Sequence, residues 1–167
     1  MILIGIGANL PTKAFGTPRA ACEAALRSLA SAGVRVIERS RWYKSAPVPP
    51  SDQPWFVNGV VRVETGLDPR ALLALLHGIE RDMGRERRAV NAPRVIDLDL
   101  LAYGDKVCDE PGGPALPHPR LHERAFVLLP LVEIAPDWRH PASGRHVRDL
   151  VAALDAERKA RVCVGEG

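Results

Sequence analysis

Apolar and polar positions along the chain follow two periods, and the switches between them lay out the elements. Residues 2–7 are apolar with two glycines and suit a short buried strand. Residues 8–18 carry Asn, Thr, two prolines and a glycine and read as a loop. Its end, Thr17-Pro18, offers an N-cap followed by proline at the first helical position. Cys22, Leu26, Leu29 and Gly33 then recur at helical spacing, which makes Cys22 a small core residue. Residues 34–43 have the β-branched and aromatic enrichment of a strand, and residues 44–54, with four prolines in eleven, form a long stiff loop. Residues 55–65 alternate as a strand, with Val57, Val61 and Val63 on one face and Phe56, Asn58 and Val60 on the other.

Asp68-Pro69 opens the clearest helix, whose stripe is Leu72, Leu75, Leu76, Ile79 and Met83, with Gly84 at its end. A basic run follows, Arg85, Arg87, Arg88 and then Asn91-Ala92-Pro93-Arg94, which resembles a lid able to close over a triphosphate. Residues 95–103 form a further strand, closed by a turn at Gly104-Asp105. After a proline-rich stretch at 109–120, residues 122–134 hold one or two short helices and residues 147–161 another. The order β-α-β-β-α-β with a helical tail predicts an α+β, ferredoxin-like core. That core is a four-stranded antiparallel sheet with helices on one face and a helical C-terminal extension. One domain over residues 1–167 is expected, with its core at about 2–155 and a tail past Ala153 that is frayed or covers the core.

With 46% apolar and 26% charged residues, the chain can build a core. No stretch approaches the roughly 18 apolar residues of a membrane span. The opening Met1-Ile2-Leu3-Ile4-Gly5 lacks the basic and long apolar regions of a signal peptide. The net charge of +3 is too mild for a dedicated nucleic-acid binder. Cys22, Cys108 and Cys163 follow no metal-ligand spacing, so a reduced, cytoplasmic protein is expected, and its single domain makes a monomer the default.

The strongest chemical signal is Asp97-Leu98-Asp99 within an apolar strand. Alternate strand residues share a side and lie roughly 6–7 Å apart. Two carboxylates held there repel, and burying them unpaired costs several kcal/mol, roughly, which a divalent cation relieves. Mg²⁺ takes one or two carboxylates plus water and phosphate oxygens, so the pair reads as a nucleotide-metal platform. The plainer alternative is the exposed face of an edge strand. Nearby Arg85, Arg87, Arg94, His118 and Arg124 favour the platform, since arginine forks match phosphate oxygens and keep their charge. Arg88 reads as a solvated surface residue. Phe56 and Asn58 share a strand side, and Phe126 could supply an opposite wall. A ring plus an amide suits a flat heterocycle, and ordinary core packing is the equal alternative.

Several motifs in order carry a wider likeness. They are Gly7-Ala8-Asn9-Leu10, Asp52-Gln53-Pro54 with Asn58, Glu80 with Gly84-Arg85 and Arg87, Pro93-Arg94-x-Ile96-Asp97-Leu98-Asp99-Leu100, and Pro117-His118-Pro119. From about residue 2 to 155 the chain resembles the 6-hydroxymethyl-7,8-dihydropterin pyrophosphokinases, which move pyrophosphate from ATP to a pterin alcohol and release AMP. The resemblance implies a ferredoxin-like fold and two Mg²⁺ ions on Asp97 and Asp99, with Arg85 and Arg94 stabilising the transferred group. It also implies an ATP site lined by Glu80, Arg87, Arg94, Leu100, His118 and Arg124. Asn58 and Asp97 would meet the pterin, Phe56 and Phe126 would sandwich it, and backbone from Ser45 and Ala46 to Val48 would complete the pocket. Gly7 and Asn9 would support the adjoining loop. The chain departs from the family pattern at Val90-Asn91-Ala92, where Arg-Trp-Gly is usual, and at Ser45-Ala46, where Thr-Pro is common. Phe56 stands for a common Tyr, and Pro119 for another.

Two other classes compete. An RNA-binding module would need stacked aromatics in a basic run that this sequence, 5% aromatic, lacks. A nucleotidyltransferase or ordinary kinase would share the carboxylates and arginines but release pyrophosphate or ADP instead of AMP.

Overall fold

The computed structural model describes residues 1–85 and 93–165. Strand β1 is Ile2–Ala8 and helix α1 is Pro18–Ser31. Then come β2 (Arg35–Arg39), β3 (Tyr43–Ser45), β4 (Phe56–Glu64) and α2 (Pro69–Asp82). Strand β5 is Asp97–Tyr103, and β6 (Cys108–Asp109) with β7 (Ala115–Leu116) makes a small hairpin. A 3₁₀ turn at Leu121–Glu123 leads into α3 (Ala125–Ile134), α4 (Val147–Ala153), α5 (Ala156–Ala160) and β8 (Val162–Val164). Among the described residues no helix is long and apolar enough to cross a membrane.

Both leading helices start where side-chain chemistry caps them. Thr17 Oγ1 accepts the Ala20 N–H at 3.2 Å and Asp68 Oδ1 accepts the Ala71 N–H at 2.8 Å, each with proline next in line. The end of α2 is set by Gly84, whose φ of +90° is a left-handed conformation that glycine adopts without penalty.

The sheet is antiparallel and has six strands, two more than the pattern predicts. Its order is β5-β1-β4-β3-β8, with β2 pairing β4 beside β3. The single strand expected over 34–43 is split, because the register against β4 slips between Val36 and Glu38 and again before Tyr43. Ser40 bridges the break, giving its N–H to the Val60 carbonyl and taking the Val60 N–H on Oγ, both at 3.0 Å. Trp42 then turns inward over Gly59, where a Cβ would stand 2.7 Å from the indole. The sixth strand is β8, drawn from the tail expected to be frayed or a mere cover.

Both faces of the sheet are covered, where helices on one face are predicted. Val57, Val61 and Val63 pack with Ile4, Ile6 and Leu98 under α1 and α2, and Cys22 is fully buried there as expected. Leu3, Val60 and Leu101 pack on the other side under Leu128 and Leu131 of α3 and Leu150 of α4. At one end of this second face the helices leave the sheet open, and the polar residues of β5 and β4 emerge there.

Candidate active site

The pleat carries one polar row across three strands. Asp97 on β5 pairs with Gly7 on β1, which pairs with Asn58 on β4. Two residues along β5, Asp99 pairs with Gly5. Gly7 lets this row close up, since a Cβ there would stand 2.8 Å from Asn58 Oδ1. Asn58 is buried, and its Nδ2 donates to Ser45 Oγ at 2.6 Å.

Two cavities meet at this row. The first, of about 240 Å³, is bounded by the 44–54 loop, β4 and the start of α3. Ser45, Ala46, Val48, Phe56, Asn58 and Phe126 all line it, so the residues expected to hold a heterocycle are brought together. The second, of about 280 Å³, is walled by Glu80, Arg85, His118 and the backbone strand around Leu98. Arg94, Asp97, Asp99 and Arg124 line both.

Asn9 ties the two sides together. It is fully buried, and its Nδ2 donates to Gln53 Oε1 and the Pro54 carbonyl, both at 3.1 Å. Its Oδ1 accepts the Arg94 N–H at 2.9 Å. One amide thus holds the proline-rich loop and the segment entering β5 against the end of β1.

The charged side is a set of ion pairs. Arg85 lies between Glu80, with which it pairs, and Asp97 Oδ1, 2.7 Å away. Arg94 reaches Asp97 Oδ2 at 2.6 Å, so both oxygens of Asp97 are held by guanidinium groups. Glu80 is buried at the base, where its Oε2 accepts the Leu98 N–H at 3.3 Å. Arg124 stands 3.7 Å from Asp99 Oδ2 and 5.5 Å from the Phe126 ring centre, a cation–π distance. Among the described residues, three arginines therefore face three carboxylates.

Burial and the neighbouring Asp97 charge push the Asp99 carboxyl up to about 6, against the pull of Arg124, Arg94 and Arg85. His118 is pushed down to about 4, first by burial and then by Arg124. It is neutral at pH 7. Its Nδ1 accepts the Arg120 N–H at 3.2 Å, so the ring proton sits on Nε2.

Two predicted residues fall elsewhere. Leu100 lines neither cavity, because its alternate position on β5 turns its side chain into the core under α1 and α2. Arg87, like Arg88 and Val90 to Ala92 of the supposed lid, lies outside the described residues. The structure adds His77, one helical turn before Glu80 on α2 and in the wall of the second cavity. That i, i+3 spacing is visible in the sequence. Gln53, Arg158, Arg161 and Val162 also join the first cavity, the last three from a tail without a motif.

Residues 3–136 match the family described as 7,8-dihydro-6-hydroxymethylpterin-pyrophosphokinase (HPPK). The chain is 43% identical over 161 residues to the 2-amino-4-hydroxy-6-hydroxymethyldihydropteridine pyrophosphokinase of Methylorubrum extorquens, covering 95% of this chain and 96% of that one. It is 40% identical over 157 residues to the enzyme of the same name from Pseudomonas aeruginosa, covering 93% of each. Its fold is similar to that of a triple mutant of Plasmodium falciparum HPPK-DHPS crystallised with pteroate, at a TM-score of 0.69 and 14% identity. That likeness spans 96% of this chain and 46% of the Plasmodium chain, and at such identity it speaks for the fold alone. With the match running through the strand of Asp97 and Asp99 and with relatives of nearly equal length, the chain belongs to the 7,8-dihydro-6-hydroxymethylpterin-pyrophosphokinase family.

Proposed function

We propose that the two cavities are the pterin and nucleotide halves of one pyrophosphokinase site. The family's reaction is transfer of pyrophosphate from ATP to the hydroxymethyl group of 6-hydroxymethyl-7,8-dihydropterin, in folate biosynthesis, and it is the activity of this chain. The observation that carries the assignment of halves is the shared wall: Arg94, Asp97, Asp99 and Arg124 border both cavities. A hydroxyl bound on one side and a phosphate bound on the other would meet at the carboxylates.

The donor set fits Mg²⁺. Asp97 and Asp99 offer oxygen ligands from one face of β5, and Asp99 is half-buried beside a like charge that a cation would offset. Asp97 and Asp99 would hold two Mg²⁺ ions, which would supply positive charge beside the phosphates and a lowered pKa for the attacking hydroxyl.

The chain's own groups do the rest. Phe56 and Phe126 bound the pterin ring, and Asn58 and the backbone of Ser45, Ala46 and Val48 take its hydrogen-bonding edge. On the nucleotide side Arg85 and Arg94 turn from Asp97 to the phosphates, Glu80 anchors Arg85 from below, and His118 offers a neutral Nε2–H donor. The hydroxymethyl oxygen bonds to the β-phosphorus as the bridging bond to the α-phosphate breaks. AMP leaves, and the hydroxyl proton passes to water. Catalysis is positioning plus charge stabilisation. The β5-β1-β4-β2 order with α1 and α2 on one face supports the ferredoxin-like reading of the core. Because one chain supplies both halves, a monomer suffices.

The test is turnover with ATP, MgCl₂ and the pterin, with nucleotide products separated. AMP that forms only with pterin present is the expected result. ADP, or no nucleotide product, overturns the assignment.

A further inference from the structure

The tail beyond Ala153 has no motif, yet it ends on the first cavity. Strand β8 lies along β3, with Val162 opposite Ser45, Cys163 opposite Lys44 and Val164 opposite Tyr43. The ladder continues past both ends, from the Ala46 N–H to the Arg161 carbonyl and from the Gly165 N–H to the Trp42 carbonyl, each 3.1 Å. Hydrogen-bonded pairs alternate along an antiparallel ladder, so Lys44 and Cys163 are such a pair. Ser45 and Val162 take the intervening position, where side chains stand closest, and both line the cavity.

Strand β3 is three residues long, and without β8 its outer edge would be open. What it carries is specific. Ser45 Oγ holds Asn58 Nδ2 at 2.6 Å, and Ala46 is buried in the cavity wall. A buried alanine N–H needs a partner, and the Arg161 carbonyl is that partner. The second cavity, by contrast, includes no residue of α5 or β8.

We propose that the strand Val162–Val164 is a positioning element of the pterin pocket. It holds Ser45 and Ala46, and through Ser45 the amide of Asn58, in the arrangement that meets the heterocycle edge. This rests on the assignment of the first cavity to the pterin.

The test sets two proline substitutions in the full-length protein against each other. Cys163→Pro removes an N–H from a hydrogen-bonded pair, whereas Val164→Pro removes one that points away from β3. Binding of 6-hydroxymethylpterin is followed by fluorescence titration, and binding of a non-hydrolysable MgATP analogue by calorimetry. In Cys163→Pro the pterin Kd and KM rise about tenfold, the scale of losing one well-placed hydrogen bond. Affinity for the analogue and kcat stay within about twofold, and Val164→Pro behaves as the unmodified protein. Should Cys163→Pro fail to fold, Val162→Gly keeps the ladder, opens the wall and raises the pterin Kd alone. Unchanged pterin affinity in a folded variant overturns the proposal, and so does an equal fall in both affinities. If the unmodified protein binds nucleotide but no pterin, the pocket assignment fails first and the inference fails with it.

Discussion

On the side of Phe56 and Phe126 the site is bounded by rings, prolines and polar groups that already have partners. Asn58 is tied to Ser45, Ala46 to Arg161, and Asn9 to Gln53 and Pro54. On the side of Glu80 and His118, a few ångströms along the same sheet, the groups are charged and hold one another, with Asp97 clasped by two arginines. A neutral pocket can be finished in advance, because satisfied dipoles cost little to bury. A polyanion site cannot, since buried charge needs a partner at all times. The same groups that pair here, Glu80, Arg85, Arg94 and Asp97, are the ones proposed to meet phosphates and cations. Substitutions on the neutral side should therefore change affinity, and those on the charged side should change rate.

The sharpest break of this contrast is Asp97→Ala. It removes a charge both arginines share and half of the proposed metal platform. AMP formation should fall roughly a thousandfold or more, the scale of losing a preorganised electrostatic partner. Pterin affinity titrated without nucleotide should fall far less, by about tenfold, since Asp97 also borders the pterin cavity. Arg94→Ala comes next, at roughly a hundredfold in kcat with little change in pterin Kd. Arg94→Lys should recover only part of this, because an ammonium cannot fork between two oxygens. A Kd change that matched the rate loss in either variant would erase the distinction between the halves.

How far the sequence announces this arrangement depends on the reach of each interaction. Asp97 and Asp99 are legible because strand alternation is local, and the same period puts Phe56 and Asn58 on one side of β4. The α2 stripe and both N-caps are local in the same way. Asn9 is legible only through the family resemblance, which implies loop support but not its partners, because these lie 44 and 85 residues away. Strand β8 is invisible for a different reason: three residues on a sheet edge are selected by backbone pairing, which leaves almost no trace in side-chain type. The break at Ser40 to Trp42 follows from an indole meeting Gly59 on another strand. Leu100 shows the converse, a motif position beside the nucleotide half whose side chain serves the core.

On the neutral side the expected effects are smaller and of another kind. Asn58→Ala removes the amide that Ser45 orients and the donor and acceptor offered to the ring. The KM for pterin should rise about tenfold, consistent with one or two hydrogen bonds, with kcat held within about threefold. Steady-state kinetics at saturating ATP separates the two. A loss confined to kcat would mean that Asn58 acts on the transferred group and that the neutral side is not purely a binding surface.

The smallest effect is read in pH, in the metal-free protein with chelator present. His118 is held near 4, below the usual 6.5 of histidine, by burial and by Arg124 and Arg120, with Asp97 opposing. Between those values the unfolded chain binds the extra proton, so this group makes stability rise with pH. Asp99 is held near 6, above the 3.8 of a free aspartate, by burial and by Asp97, with Arg124, Arg94 and Arg85 opposing. Here the folded chain binds the extra proton, so this group makes stability fall with pH over nearly the same interval. The two slopes offset each other. Glu23 and Glu133 are both held below the usual glutamate value by hydrogen bonds and arginine charge, and they contribute alike to every variant between about pH 4 and 6. His140, lowered by burial and by His122, adds the same upward slope to every variant. Measured against the unmodified protein across that window, His118→Gln should make Tm fall with rising pH, and Asp99→Asn should make it rise. Slopes of the same sign in both variants would mean that the carboxylate and the imidazole are not shifted in opposite directions.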